Sequence, residues 1–228
     1  MLHSLGHSTF SVDDFIDICK TANIDVIIDT RSHPGSKNYP HFNKECMRAW
    51  LTEAGIEYQW WPYLGGWNNH HASLSDNTIK LFKERYDVDI EIYTNNAFPK
   101  QRIAKKRPLT DEFGWTNYGF HDYQHYMQLP EFMDSVSDLI NLSKDGRNYA
   151  MICCEACWTR CHRSMIADYL NKLGHEVYHI IPRFRKIKLP RTVVKLTPHS
   201  QVINDRLKRY HKDIILAWDE HEESGCKS

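Results

Sequence analysis

No run of the sequence approaches the ~18 apolar residues that a membrane-spanning helix needs, so no membrane partner is expected. The opening Met1-Leu2-His3-Ser4-Leu5-Gly6 lacks a charged segment followed by an apolar one. A secretory leader is therefore not expected, and a cytoplasmic location is. An excess of charge of either sign is also missing, since 29 Lys and Arg balance 29 Asp and Glu. Global charge thus does not announce a nucleic-acid binder. Internal repeats and low-complexity tracts are absent, which argues against solenoids and disordered arrays. The cysteine count is seven, an odd number. Without a leader, that argues against a disulfide framework and for reduced thiols.

What is present is enough for a sizeable core: 228 residues, 41% of them hydrophobic and 12% aromatic. Ser11 is placed to cap a helix with Asp13 and Asp14 in its first turn, where the helix dipole favours them. Phe15, Ile16, Ile18 and Cys19 recur at helical spacing, and Cys19 reads as a small core residue. Asn23 breaks that pattern. Val26-Ile27-Ile28 reads as a buried parallel strand ending in the polar loop Asp29-Thr30-Arg31-Ser32. Residues 43–54 predict a second helix, and Ile56 to Trp60 alternate like a strand. Pro62 to Trp67 read as a glycine turn. Residues 130–143 predict an amphipathic helix, 149–153 a buried strand, 164–173 a helix with Gly174 behind it, and 177–181 a strand ending at Pro182. Two such units argue for an α/β fold, an open, mostly parallel sheet with helices on both faces. One α/β domain over 1–228 is expected, with an inserted lid region at 68–115 and a basic C-terminal extension from 183.

The chemistry concentrates in Cys153-Cys154-Glu155-Ala156-Cys157-Trp158-Thr159-Arg160-Cys161-His162-Arg163-Ser164. It lies between a predicted strand and a predicted helix. A helix start binds anions and lowers the pKa of a nearby thiol. Cys153 and Cys161 are candidate nucleophiles, and Glu155 and His162 candidate acid–base groups. Cys154 should alternate away from Cys153 and reads as a buried small residue. A metal reading stands beside this one: Cys153, Cys157, Cys161 and His162 suit zinc or iron. The sequence has no second Cys pair, so His3, His7, His70 or His71 would have to complete a structural site. Cys157, Arg163 and Ser164 also fit the spacing of a phosphatase loop, but that loop would need glycine where Trp158 and Arg160 stand.

Other strand ends are expected to converge on the same rim. They bring Asp29 as a further acid–base group, and Arg31, Arg163, Ser32, Ser164 and His7 as anion-binding groups. A local Asp29–Arg31 salt bridge is the plainer alternative. Residues 183–195 carry Arg183, Arg185, Lys186, Lys188, Arg191 and Lys195 without an acid. That stripe could meet phosphates or be a solvated strand and loop. Trp60, Trp61, Tyr63, Trp67, Trp115, Tyr118, Phe120, Tyr123 and Tyr126 could stack nucleobases or pack a core or lid.

Gly6-His7-Ser8, Asp29-Thr30-Arg31-Ser32-His33-Pro34-Gly35-Ser36, Phe42-Asn43, Leu64-Gly65-Gly66, Cys153-Cys154-Glu155 and Cys161-His162-Arg163-Ser164 together resemble the domain of unknown function 488 family. The likeness covers roughly residues 3–66 and 116–182. It implies an α/β fold and a shared site with Cys153, Glu155, Cys161, His162 and Arg163 as signature positions, with Cys154 and Cys157 as additions of this chain. A looser likeness is to rhodanese-like domains, at fold level only.

Three functions follow as expectations. The first is an enzyme acting on a nucleotide or nucleic acid, in base modification or repair. The second is a rhodanese-like sulfur transferase with a persulfide on Cys153 or Cys161. The third is a metal-stabilised nucleic-acid-binding module.

Overall fold

The computed structural model describes residues 1–66, 118–183 and 193–210, with Ile215 and Trp218. The lid expected at 68–115 lies outside these residues. The described strands are β1 (Leu2–Gly6), β2 (Val26–Asp29), β3 (Glu57–Trp60), β4 (Tyr149–Cys153), β5 (Val177–Arg183) and β6 (Val193–Pro198). They form one sheet in the order β3-β2-β4-β1-β5-β6. The first five are parallel, and β6 runs antiparallel to β5. The helices are α1 (Val12–Thr21), α2 (Lys44–Glu53), α3 (Tyr118–Tyr126), α4 (Pro130–Leu142), α5 (Arg163–Lys172) and α6 (Ile203–Leu207). None of the described helices is long and apolar enough to cross a membrane.

Side chains alternate across the sheet, so β1, β2, β4 and β5 each feed two cores. Leu2, Val26, Ile28, Tyr149, Met151 and Val177 pack with Phe132, Val136 and Leu139 of α4 and with Met165, Ile166 and Tyr169 of α5. Leu5, Ile27, Ala150, Ile152 and Ile180 pack with Phe15, Ile18 and Cys19 of α1 and with Met47 and Leu51 of α2. The expected α/β fold with helices on both faces is what these residues build. Local signals hold as well. The Ser11 hydroxyl accepts the Asp14 N–H at 3.1 Å, and Asn23 takes a left-handed conformation (φ 53) just beyond α1.

Two local expectations need correction. Strand β5 does not stop at Pro182 but continues to Arg183, because β6 pairs with it there, Pro182 against Val194. Part of the presumed basic extension, Val193–Pro198, is therefore an edge strand of the sheet.

The topology sets where a site can form. The connections through α1 and α2 run out to one side of β4, and the connection through α5 runs to the other. The carboxyl ends of β1, β2 and β4 thus border the crevice where an open α/β sheet places ligands.

Candidate active site

Three loops leave the sheet at this crevice and are stitched together by backbone. The His7 N–H donates to the Cys153 carbonyl (2.9 Å), the Ser8 N–H to that of Cys154 (3.1 Å) and the Thr30 N–H to that of Ile152 (3.1 Å). The stitching needs Gly6, because a Cβ there would stand 2.1 Å from the Glu155 carbonyl oxygen.

On the α1/α2 side lies the Asp29–Arg31 pair. Arg31 grips Asp29 through Nε (2.8 Å) and Nη2 (2.5 Å), and the Tyr58 hydroxyl donates to the same carboxylate (2.7 Å). A guanidinium only donates, so the 3.2 Å contact from Arg31 Nη1 makes His7 Nε2 an acceptor. His7 Nδ1–H then donates to the Ser8 carbonyl (3.1 Å). Burial, reinforced by Arg31, pulls His7 down to about 4, so it is neutral. The local Asp29–Arg31 salt bridge expected as the plainer alternative is formed, with His7 beside it.

On the opposite side, Cys161, His162 and Arg163 open α5. The Thr30 hydroxyl donates its single proton to the Ile152 carbonyl (2.8 Å). Its 3.1 Å contact with His162 Nε2 must therefore be one in which the ring nitrogen donates. That assigns the proton to Nε2 and leaves the Nδ1 lone pair facing Cys161 Sγ at 3.6 Å. Gly66 closes over the ring, where a Cβ would lie 2.4 Å from His162 Nδ1. Tyr123 holds this loop by donating to the Leu64 carbonyl (2.9 Å) and meets His162 edge-on at 5.4 Å.

Arg163 is wholly buried. Its Nε donates to Cys161 Sγ (3.3 Å), Nη1 to Ser4 Oγ (2.9 Å) and Nη2 to the Glu155 carbonyl (2.5 Å). Among the described residues, no carboxylate pairs with it. Cys153, Cys161 and His162 each present a donor atom, all within 4.8 Å of one another, and these three can hold a metal.

The expected residues thus separate. Cys153, Cys161 and His162 form one group beneath Arg163, and Asp29, Arg31 and His7 form another. The Arg31 guanidinium is held above its ordinary value chiefly by Asp29, with a smaller contribution from Cys153. Glu155 is exposed, and it is its backbone carbonyl that holds Arg163. Ser32 is buried behind the Asp29 loop. The Ser164 hydroxyl donates to the Cys161 carbonyl (2.8 Å). Arg183 lies in β5, and Arg185, Lys186, Lys188 and Arg191 lie outside the described residues.

Three cysteine expectations change. Cys161 is not the lowered thiol of a helix start: burial pushes it up to about 11, outweighing the pull of Arg163 and His162. Cys153 is likewise raised, chiefly by its contact with Cys154 at 3.9 Å. Cys154 is exposed rather than buried, and that same contact holds it down at about 6. As for the phosphatase spacing, Cys157 is exposed beside the Thr159 hydroxyl (3.1 Å), and the Arg163 guanidinium is committed elsewhere.

Sequence reasoning missed three participants. Thr30 sits in the quoted motif and carries the only local signal, a hydroxyl one residue past a strand-ending Asp. Ser4 is hidden inside β1. The third is a buried network behind α5. Asp168 accepts from Arg206 Nε (2.6 Å) and Nη2 (2.7 Å), from Tyr210 (2.6 Å) and from His199 Nε2 (2.7 Å). His199 Nδ1 meets His179 Nε2 at 2.8 Å, and His179 stacks on Trp158 at 3.8 Å. Arg206 Nη2 also donates to Ser164 Oγ (2.7 Å), which ties this network to the backbone of Cys161. Its members come from four segments far apart in sequence, so no local motif announces it.

The sequence model of the family described as "Domain of unknown function DUF488" matches residues 11–98 and 93–170, which together run from 11 to 170 of the 228 residues. No curated protein and no solved structure matches the chain.

Proposed function

The chain belongs to the DUF488 family, and from that premise we propose that it is an enzyme acting on a nucleotide or nucleic acid, in the base-modification or repair class. The carrying observation is the convergence of three strand ends and one helix start on a single crevice, with Cys153, Cys161 and His162 on one side and Asp29, Arg31 and His7 on the other. Reactive side chains on loops fixed by a parallel sheet are the arrangement such folds use for catalysis.

The substrate class draws support from the rim. The turn Pro62–Leu64 leads directly into Gly66 over His162, and it presents Tyr63, a large aromatic that is 49% exposed. An exposed aromatic three residues before the glycine that covers His162 offers a stacking platform for a base. Burial of the reactive trio at the strand ends requires a base to be brought in from outside a duplex, so single strands or free nucleotides are the favoured form.

The test is binding of fluorescent mononucleotides, single strands and duplexes at low salt, followed by mass analysis of the oligonucleotide after incubation. Binding weakened by Tyr63→Ala, together with a mass change that His162→Ala abolishes, is expected. No affinity for any of the three forms at low salt would end the reading.

A further inference from the structure

We propose that Cys153, Cys161 and His162 form a binding site for one divalent metal ion of the zinc type, with the fourth coordination position left to water or substrate. The donor set is two sulfurs and one imidazole nitrogen, all within 4.8 Å of one another. Tetrahedral zinc with Zn–S about 2.3 Å and Zn–N about 2.0–2.1 Å sets its S···N edge at about 3.6 Å. Cys161 Sγ and His162 Nδ1 already stand 3.6 Å apart.

The surroundings are those of a ligand set rather than of a thiol–imidazole contact alone. Thr30 accepts from His162 Nε2, which fixes the tautomer and leaves the Nδ1 lone pair facing Cys161 Sγ. A ligating histidine needs its other nitrogen held in this way. Gly66 leaves no room for the ring to swing toward the loop above it. Arg163 Nε donates to Cys161 Sγ at 3.3 Å, an outer contact that suits a metal-bound thiolate.

Charge bears on what the fourth position would hold. Arg163 is a fully buried cation whose partners among the described residues are a sulfur, a hydroxyl and a carbonyl. A buried cation without an anion is costly. Metal ligation requires both cysteines as thiolates. Two thiolates, one divalent ion and one guanidinium sum to a single positive charge. Hydroxide or an anionic substrate group in the fourth position makes the sum zero. Among the described residues the ligands number three, and a three-ligand zinc site is the reactive rather than the purely structural kind.

This assignment does not rest on the nucleotide reading, since metal binding and nucleotide binding are measured separately and either can fail alone. The experiment is elemental analysis of the full chain purified without chelator or affinity metal, together with titration of the apoprotein with Co(II). About one equivalent of metal is expected, with an intense thiolate-to-cobalt charge-transfer band. Cys153→Ser, Cys161→Ser and His162→Ala should each lose the metal, and Cys46→Ser on the exposed face of α2 should keep it. The wild-type cobalt spectrum decides the matter even where a variant fails to fold. A folded wild type that binds no metal and shows no charge-transfer band would overturn the proposal. Full metal content in a folded Cys161→Ser variant would do the same.

Discussion

Arg163 and Arg206 are both buried against α5, 0% and 6% exposed, yet they are satisfied in opposite ways. Arg206 faces a carboxylate: Asp168 takes two of its donors, and Tyr210 and His199 complete the remaining acceptor positions of that carboxylate. Arg163 has a thiol, a hydroxyl and a backbone carbonyl instead. The first arrangement is electrically closed and mechanical. It fixes Ser164, which in turn holds the Cys161 carbonyl. The second is open: among the described residues no carboxylate answers its cation. A buried guanidinium that no described carboxylate pairs is a better pointer to a reactive site than one paired with a carboxylate.

The contrast can be broken first at its closed end. Asp168→Ala leaves Arg206 buried and unpaired, and should cost about 3–5 kcal/mol of folding stability, read from the denaturant midpoint. A loss under about 1 kcal/mol would show that the network is not the anchor described here.

Next comes the open end. Thr30→Val removes the acceptor for His162 Nε2 while preserving shape. Loss of an outer partner of a ligating histidine should cost 10- to 100-fold in metal affinity, about 1.4–2.7 kcal/mol, with Thr30→Ser close to wild type. Competition titration against a chelator gives the number, and equal affinities for Val and Ser variants would count against the tautomer argument.

A smaller effect separates the two arginines directly. Arg163→Met should lower the stability of the metal-free protein by only about 1–2 kcal/mol, the cost of leaving Ser4 and the Glu155 carbonyl unpaired. If it proves as damaging as Asp168→Ala, the two clusters do the same job.

A separate effect is with pH. Burial pulls His3 down to about 4 and His179 down to about 2, from an ordinary value near 6.5. Between those limits the unfolded chain binds protons that the folded chain does not, so stability is full above about pH 6.5 and falls as the pH drops toward 4. His3→Gln should flatten that slope in pH-dependent denaturation. An unchanged slope would mean that His3 protonates without unfolding.

Much of this was legible in the sequence because it is local. The Val26-Ile27-Ile28 run, the Ser11 cap and the periodicity of 130–143 each place an element from neighbours alone, and the clustering of Cys153, Cys161, His162 and Arg163 singles out the candidate site. What stayed hidden depends on distance through space. Nothing local at Pro182 reveals that β6 will pair there, and nothing near Asp168 reveals Arg206, Tyr210 and His199. Thiol acidity was misjudged for the same reason. A helix start lowers a thiol's pKa, but the depth at which Cys161 is buried reverses that effect, and burial is a property of the assembled fold.

The central claim is that Cys153, Cys161 and His162 act as one unit beneath Arg163. X-ray absorption at the zinc edge of the zinc-loaded protein tests it most directly. Two sulfur neighbours at about 2.3 Å and two lighter ones at about 2.0–2.1 Å are expected, and a coordination shell without sulfur would contradict it.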